Sequence, residues 1–241
     1  MAEITRIAAV GDLHCTKDMA GAFKDVFARL EGKADVLLLC GDLTDYGLPE
    51  EATVLAKELA AVKVPMLGVL GNHDYESGQQ VEVARILGEA GLKLLDGDST
   101  TLGGLGFAGA KGFAGGFGRG TLGPWGESAI KSFVKEALDE SLKLESALAR
   151  LRTEKRIALL HYAPIKDTVE GEPLEIFPFL GCSRLEEPLE RYPVTIAFHG
   201  HAHRGTMEGK TRVGTTVYNV AMPLLRRSLS SELPIRIVEL S

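Results

Sequence analysis

The chain has 241 residues, a mass of 25.9 kDa and a formal charge of −6, with 45% hydrophobic and 25% charged residues. That balance belongs to a globular protein and excludes collagen-like and disordered classes. A sequence pI near 5.6 leaves no broad basic field to grip nucleic acid by its phosphates. No apolar run approaches the ~20 residues of a membrane span. The first ten residues lack the apolar core of a secretory leader. Three cysteines, Cys15, Cys40 and Cys182, stand at unrelated spacings, so free thiols and a reducing cytoplasm are expected.

The first half alternates strand and helix signals. Residues 4–10 read as a strand ending at Gly11, and Met19, Phe23, Val26, Phe27 and Leu30 fall at helical spacing. Asp35–Cys40 is a short apolar strand ending at Gly41-Asp42. Residues 50–62 read as helix, Pro65–Leu70 as a strand ending at Gly71-Asn72, and 79–90 as helix. Short runs that are apolar throughout suit parallel strands covered on both faces. Thr101–Gly126 holds eleven glycines in 26 residues, which fits two short strands and wide turns. Glu127–Thr153 is a long amphipathic helix. Strand-like stretches follow at 156–161, 194–200, 213–221 and 234–240, suggesting a second sheet packed on the first. No linker separates the halves, and residues 1–241 read as one domain.

Five strand ends carry polar clusters. They are Asp12-Leu13-His14, Gly41-Asp42, Gly71-Asn72-His73-Asp74, His161, and Gly200-His201-Ala202-His203. Ligands of open α/β sheets sit beyond the carboxyl ends of strands. In extended chain, residues i and i+2 point the same way, so Asp12 pairs with His14 and His201 with His203. Carboxylate with imidazole suits borderline divalent metals such as Mn, Fe, Zn or Ni. So many donors exceed the needs of one ion and suit two ions that share a bridging carboxylate. Glycines before the clusters leave room for close loops.

D-x-H, G-D, G-N-H-D, a lone His and G-H-x-H, in this order, with 30-residue steps from Asp12 to Asp42 to Asn72, resemble the calcineurin-like metallophosphoesterase superfamily. The resemblance runs from residue 7 to about residue 221. It implies a four-layer α/β/β/α sandwich with two mixed sheets. It implies that Asp12, His14 and His203 hold one metal, that Asn72, His161 and His201 hold the other, and that Asp42 bridges both. It implies attack on phosphorus by a metal-bridging hydroxide, with Mn as the ion to support activity in vitro. His73 would bind the phosphate and assist the leaving oxygen, with Asn72 beside it. Asp74 would accept from the other ring nitrogen of His73, fixing its tautomer.

Lys17, Arg119 and Arg204 are candidates for phosphate contact, Arg204 first because it follows the last ligand. His199 reads as a hydrogen-bonded structural histidine and Asp45 as a turn or cap residue. Glu170–Cys182 is a Pro-rich insertion with two phenylalanines, readable as a lid, a self-association surface or a packed loop. The expected function is hydrolysis of small phosphodiesters or phosphomonoesters, nucleotides among them, at an open site. The oligomeric state stays open, with a homodimer among the options. A pyrophosphohydrolase of the lipid A precursor UDP-diacylglucosamine is the enzyme alternative, but that family carries Arg where this chain has His73. A non-catalytic scaffold on the same fold is the other alternative.

Overall fold

The computed structural model describes residues 5–229 and 233–240. In chain order its elements are β1 (Arg6–Val10), α1 (Lys24–Ala28), β2 (Val36–Cys40), α2 (Pro49–Leu59), β3 (Met66–Val69), α3 (Gln80–Glu89), β4 (Leu92–Leu94), β5 (Asp98–Leu102) and β6 (Leu105–Gly109). Then come α4 (Ser128–Arg150), β7 (Arg156–Leu159), α5 (Phe177–Leu180), α6 (Glu186–Arg191), β8 (Ile196–His199), β9 (Glu208–Lys210), β10 (Thr216–Asn219), α7 (Met222–Ser228) and β11 (Arg236–Glu239). One sheet has the order β11-β1-β2-β3-β4 and the other β5-β6-β7-β8-β10-β9. Pairing is parallel within β1–β4 and along β6-β7-β8-β10, and antiparallel at β11, β5 and β9.

The layers follow from side-chain alternation along the strands. Ile157 and Leu159 of β7, and Ile196 and Phe198 of β8, join the core between the sheets, with Ile7 and Leu38 on the facing side of the first sheet. Ala158 and Ala197, on the opposite face, pack under Leu144, Ala147 and Leu148 of α4. Alanine on that face lets the helix approach closely. Phe27, Leu55, Leu59, Val83 and Leu87 place α1, α2 and α3 in the core with the first sheet. The architecture is two mixed sheets flanked by helices, as the resemblance implies.

Two expectations about elements change. The stretch 234–240 does not extend the second sheet. Its strand β11 runs antiparallel to β1, with Ile7 opposite Val238, on the edge that β1 leaves open. The helical spacing over 19–30 yields only Lys24–Ala28, because Gly21 takes φ +86° and interrupts the turn before it. The buried carboxylate of Glu58, on α2, accepts the amides of Gly21, Phe23 and Lys24 instead and so starts α1. No helix among the described residues is long and apolar enough to cross a membrane. The three cysteines are free and buried.

Candidate metal centre

Strands β1, β2 and β3 of the first sheet and β7 and β8 of the second end at the same edge, and their following residues converge there. Among the described residues, three groups of His and Asp place potential ligand atoms within 4.8 Å of one another: Asp12, His14 and His203; Asp42, His161 and His201; and His14, Asp45 and His73. Asp12 and His203, 191 positions apart in sequence, meet with His203 Nε2 2.9 Å from Asp12 Oδ1. The same nitrogen lies 3.4 Å from His14 Nε2. His161 Nε2 lies 2.9 Å from Asn72 Oδ1 and 3.3 Å from Asp42 Oδ1. The other oxygen of Asp42 is 3.8 Å from His14 Nε2, so its two oxygens face the two groups.

The local backbone is bent to do this. Among the described residues, the non-glycine positions with positive φ are Asp12, His14, Asp42 and His201, at +45° to +69°. Such geometry is costly for residues with a Cβ, and it persists where surrounding structure enforces it, typically at functional sites. Close approach needs glycine nearby. A Cβ at Gly71 would lie 2.2 Å from Asp42 Oδ1, and one at Gly200 would lie 2.3 Å from Asp12 Oδ2.

The donor set suits divalent cations. Asp12 and Asp42 are 2% and 1% exposed, and their charged partners among the described residues are imidazoles. Carbonyl and carboxylate acceptors fix the tautomers, because each must receive a ring N–H. His14 Nδ1 donates to Asp45 Oδ1 at 3.0 Å, His161 Nδ1 to the Cys40 carbonyl at 3.0 Å, and His201 Nε2 to the Phe179 carbonyl at 3.2 Å. Each ring is left with one nitrogen free to bind a metal, oriented by the bond at the other. At His161 burial opposes charge, but Asp42 and Asp12 raise its pKa to about 9. Burial and neighbouring His161 push His201 down to about 4. The acceptors crowded on His161 Nε2 thus mark a point that attracts positive charge.

The residue assigned to hold His73 is not the expected one. Asp74 is fully buried and turned away from the ring, with its carboxylate accepting from the amides of Leu43, Thr44 and Gly71 and from the Thr44 hydroxyl. It braces the two ligand loops. Asp45 holds the ring instead. Its carbonyl accepts from His73 Nδ1 at 2.6 Å, while its carboxylate accepts from His14. The reason is geometric. His73 and Asp74 sit in one tight turn of 3-10 helix, His73–Tyr75, where adjacent side chains diverge. Asp45, three residues after Asp42, was legible only as a turn residue, because its partners come from other loops.

The remaining candidates take structural or surface positions. His199 is buried, with Nδ1 2.7 Å from the Gly200 carbonyl and Nε2 2.8 Å from the Thr168 hydroxyl, and burial lowers its pKa to about 4. The side chains of Lys17, Arg119 and Arg204 are exposed. Arg227 of α7, unmarked in the sequence, donates to the carbonyls of His203 and Pro223. The insertion 170–182 is fastened to the centre at several points. The Glu172 carboxylate accepts the Arg204 amide, the Glu170 carbonyl accepts the Thr206 hydroxyl, and the Phe179 carbonyl accepts from His201. Gly115 and Gly116 of the glycine-rich stretch bond to Pro178 and Gly181 behind it. It forms a fixed wall. Phe177 is buried in that wall, which removes it as a stacking surface, whereas Phe179 is 58% exposed.

Comparison with known proteins agrees with the fold. The curated protein "Probable glycerophosphodiester phosphodiesterase GpdQ" of Arcobacter nitrofigilis is 22% identical over 85% of this chain, which spans 66% of that protein's length. Among solved structures, a phosphopantetheinyl hydrolase of Mycobacterium tuberculosis superposes with a TM-score of 0.69 at 15% identity, covering 99% of this chain and 97% of the other. A purple acid phosphatase from yellow lupin seeds gives 0.55 at 15% identity, covering 91% and 44%. The family model for calcineurin-like phosphoesterases matches residues 5–205, and the chain belongs to that family of metal-dependent hydrolases.

Proposed function

We propose that this chain is a two-metal phosphodiesterase for small organic phosphodiesters. The observation that carries the reading is Asp42, whose two oxygens face two separate histidine groups. Asp12, His14 and His203 would hold one ion, Asn72, His161 and His201 the other, and Asp42 both. When bound, two such ions polarise phosphate oxygens and bring the pKa of water towards neutral. The chain supplies the rest. With Nδ1–H committed to the Asp45 carbonyl, His73 keeps Nε2 for the phosphate or the leaving oxygen. The ring packs edge-on to His14 at 4.5 Å, which holds it beside the metal ligands.

The curated relative's name supports diesters over monoesters. So does the state of the nearby guanidiniums: Arg204 is exposed and Arg227 is committed to backbone carbonyls. A second phosphate charge would thus find little fixed counter-charge. Phe179, on the wall beside His201, offers a surface to the organic part of the ester, a nucleotide base among the flat groups that would suit it.

The test is hydrolysis of bis-p-nitrophenyl phosphate and of p-nitrophenyl phosphate by Mn-loaded protein, with and without chelator. Chelator-sensitive turnover, with the larger kcat/KM for the diester, is expected. Preference for the monoester would overturn the diesterase reading. No turnover of either by protein carrying two ions would favour the scaffold.

A further inference from the structure

The end of the insertion touches the two ligand groups unequally. Its helix α5 stops at Leu180, and Gly181 and Cys182 then run as a short extended stretch between two other segments. On one side Gly181 bridges Ala163. The Ala163 amide donates to the Leu180 carbonyl at 3.0 Å, and the Cys182 amide to the Ala163 carbonyl at 3.1 Å. On the other side the Gly116 amide donates to the Gly181 carbonyl at 2.9 Å, and the Gly115 amide to that of Pro178 at 2.7 Å.

This ladder joins the two histidines assigned to one ion. Ala163 stands two residues after His161, and Phe179, whose carbonyl accepts from His201 Nε2, stands two residues before Gly181. Asp12, His14 and His203, assigned to the other ion, bond among themselves and to Asp45.

The freedom left to His201 is rotation of its ring. Its amide is held by both oxygens of Asp12 at 2.9 Å, and its ring packs on those of His161 and Tyr162, with centroids 4.8 and 4.5 Å away. A half-turn of an imidazole puts carbon where each nitrogen stood. The Phe179 carbonyl opposes that turn, keeps the proton on Nε2 and leaves Nδ1 bare.

Gly181 is the residue that lets the carbonyl reach its place. A Cβ there would lie 2.0 Å from the Ala163 oxygen, 2.8 Å from its carbonyl carbon and 2.9 Å from its nitrogen. All three are backbone atoms, so no side chain can turn aside. Its φ of 170° is ordinary extended backbone, and the constraint is room alone. Whichever side yields, a histidine of the same group moves. His161 moves if the Ala163 segment gives way, and the Phe179 carbonyl leaves His201 if the insertion does.

We propose that Gly181 is a positioning residue for the ion assigned to Asn72, His161 and His201, acting through the Phe179 carbonyl on the ring of His201. That the ring holds an ion rests on the two-metal reading; that Gly181 aims the ring does not.

The experiment has two arms. Long-range proton–nitrogen NMR spectra of metal-free, histidine-labelled protein show which ring nitrogen of His201 carries the proton, with His201→Gln identifying the signal. Nε2–H is expected in wild type and should be lost, wholly or in part, in Gly181→Ala. Mn titration followed by metal analysis should then give a second ion bound ~10–100-fold more weakly in Gly181→Ala, with the first unchanged. Phe177→Leu loosens the packing of the same wall without adding an atom to the ladder. It should lower the melting temperature and keep both the tautomer and the ions. If Gly181→Ala does not fold, it is paired with Ala163→Gly, which frees the opposing backbone to yield, and measured against Ala163→Gly alone. Nδ1–H in wild type, an unchanged tautomer and second ion in the variant, equal weakening of both ions, or an equal loss in Phe177→Leu would overturn the proposal. A wild type that binds one ion while its tautomer answers to Gly181 would instead break the two-metal reading and leave the aiming of the ring standing.

Discussion

The two sheets contribute differently to the candidate metal centre. The first supplies both buried carboxylates, Asp12 and Asp42, together with His14 and Asn72. The second supplies imidazoles only: His161, His201 and His203. Three of the four strained non-glycine residues, Asp12, His14 and Asp42, belong to the first sheet's loops, against His201 alone in the second. The first sheet thus brings the charge that calls for cations, at a conformational cost. The second brings imidazoles whose direction is set by carbonyls such as those of Cys40 and Phe179. Charge and orientation are separable in this centre, and variants can tell them apart.

The largest effect should come from Asp42. Asp42→Asn removes the charge shared by both groups, and we expect loss of both ions and of activity. His201→Gln removes one neutral donor and should cost one ion. Metal analysis of the two purified variants checks this, and two ions retained by Asp42→Asn would break the contrast.

His73→Gln comes next. The ring faces the ligand groups but holds neither, so both ions should remain while kcat falls by ~10²–10⁴. Metal content measured beside steady-state kinetics decides it.

Asp45 and Asp74 sharpen the comparison further, since both brace first-sheet loops. Asp45→Asn weakens the hold on His14, and metal affinity should fall by ~10–100-fold, as for other groups that orient a metal ligand. Asp74→Asn replaces an acceptor of four hydrogen bonds in a fully buried position. Its effect should be on stability, about 1–3 kcal/mol by denaturant melts, for each backbone donor left unpaired. A selective loss of kcat in Asp74→Asn with unchanged stability would restore the pairing with His73 that the sequence suggested.

The smallest effect concerns the second sheet's silent histidine. His199 has a folded pKa of about 4 against an ordinary value of 6.5, chiefly through burial. The unfolded chain binds the proton first, so this contribution is present above about pH 6.5 and is lost as pH falls towards 4. Wild type should be more stable than His199→Gln at pH 7, and the margin should shrink through that window. Denaturation of chelated protein at several pH values measures it. A margin independent of pH would show that the ring is not held neutral.

The candidate ligands stood out in the sequence because glycine-flanked clusters close strands of strongly apolar character at regular steps. Asp12, Asp42 and Asn72 are local consequences of the chain leaving β1, β2 and β3. Layer architecture was legible for the same reason, since apolar runs and the amphipathic α4 state which faces are covered. Short edge strands such as Glu208–Lys210 carry too few residues for a pattern and leave no signal in the sequence. The pairing of β11 with β1 could not be read either. A strand's sequence shows that it will pair, but the free edge it meets depends on the whole sheet order.

The sequence by itself determined which atoms can bind metal and in what order the strands deliver them, because donor chemistry and strand periodicity are properties of residues and their spacing. Tertiary structure alone decided how those atoms are aimed. Asp45 rather than Asp74 meets His73, Phe177 is buried while Phe179 faces outward, and the Cys40 and Phe179 carbonyls fix the tautomers of His161 and His201. Each of these depends on hydrogen bonds between loops far apart in sequence, whose directions are set only when the two sheets pack and their edges align.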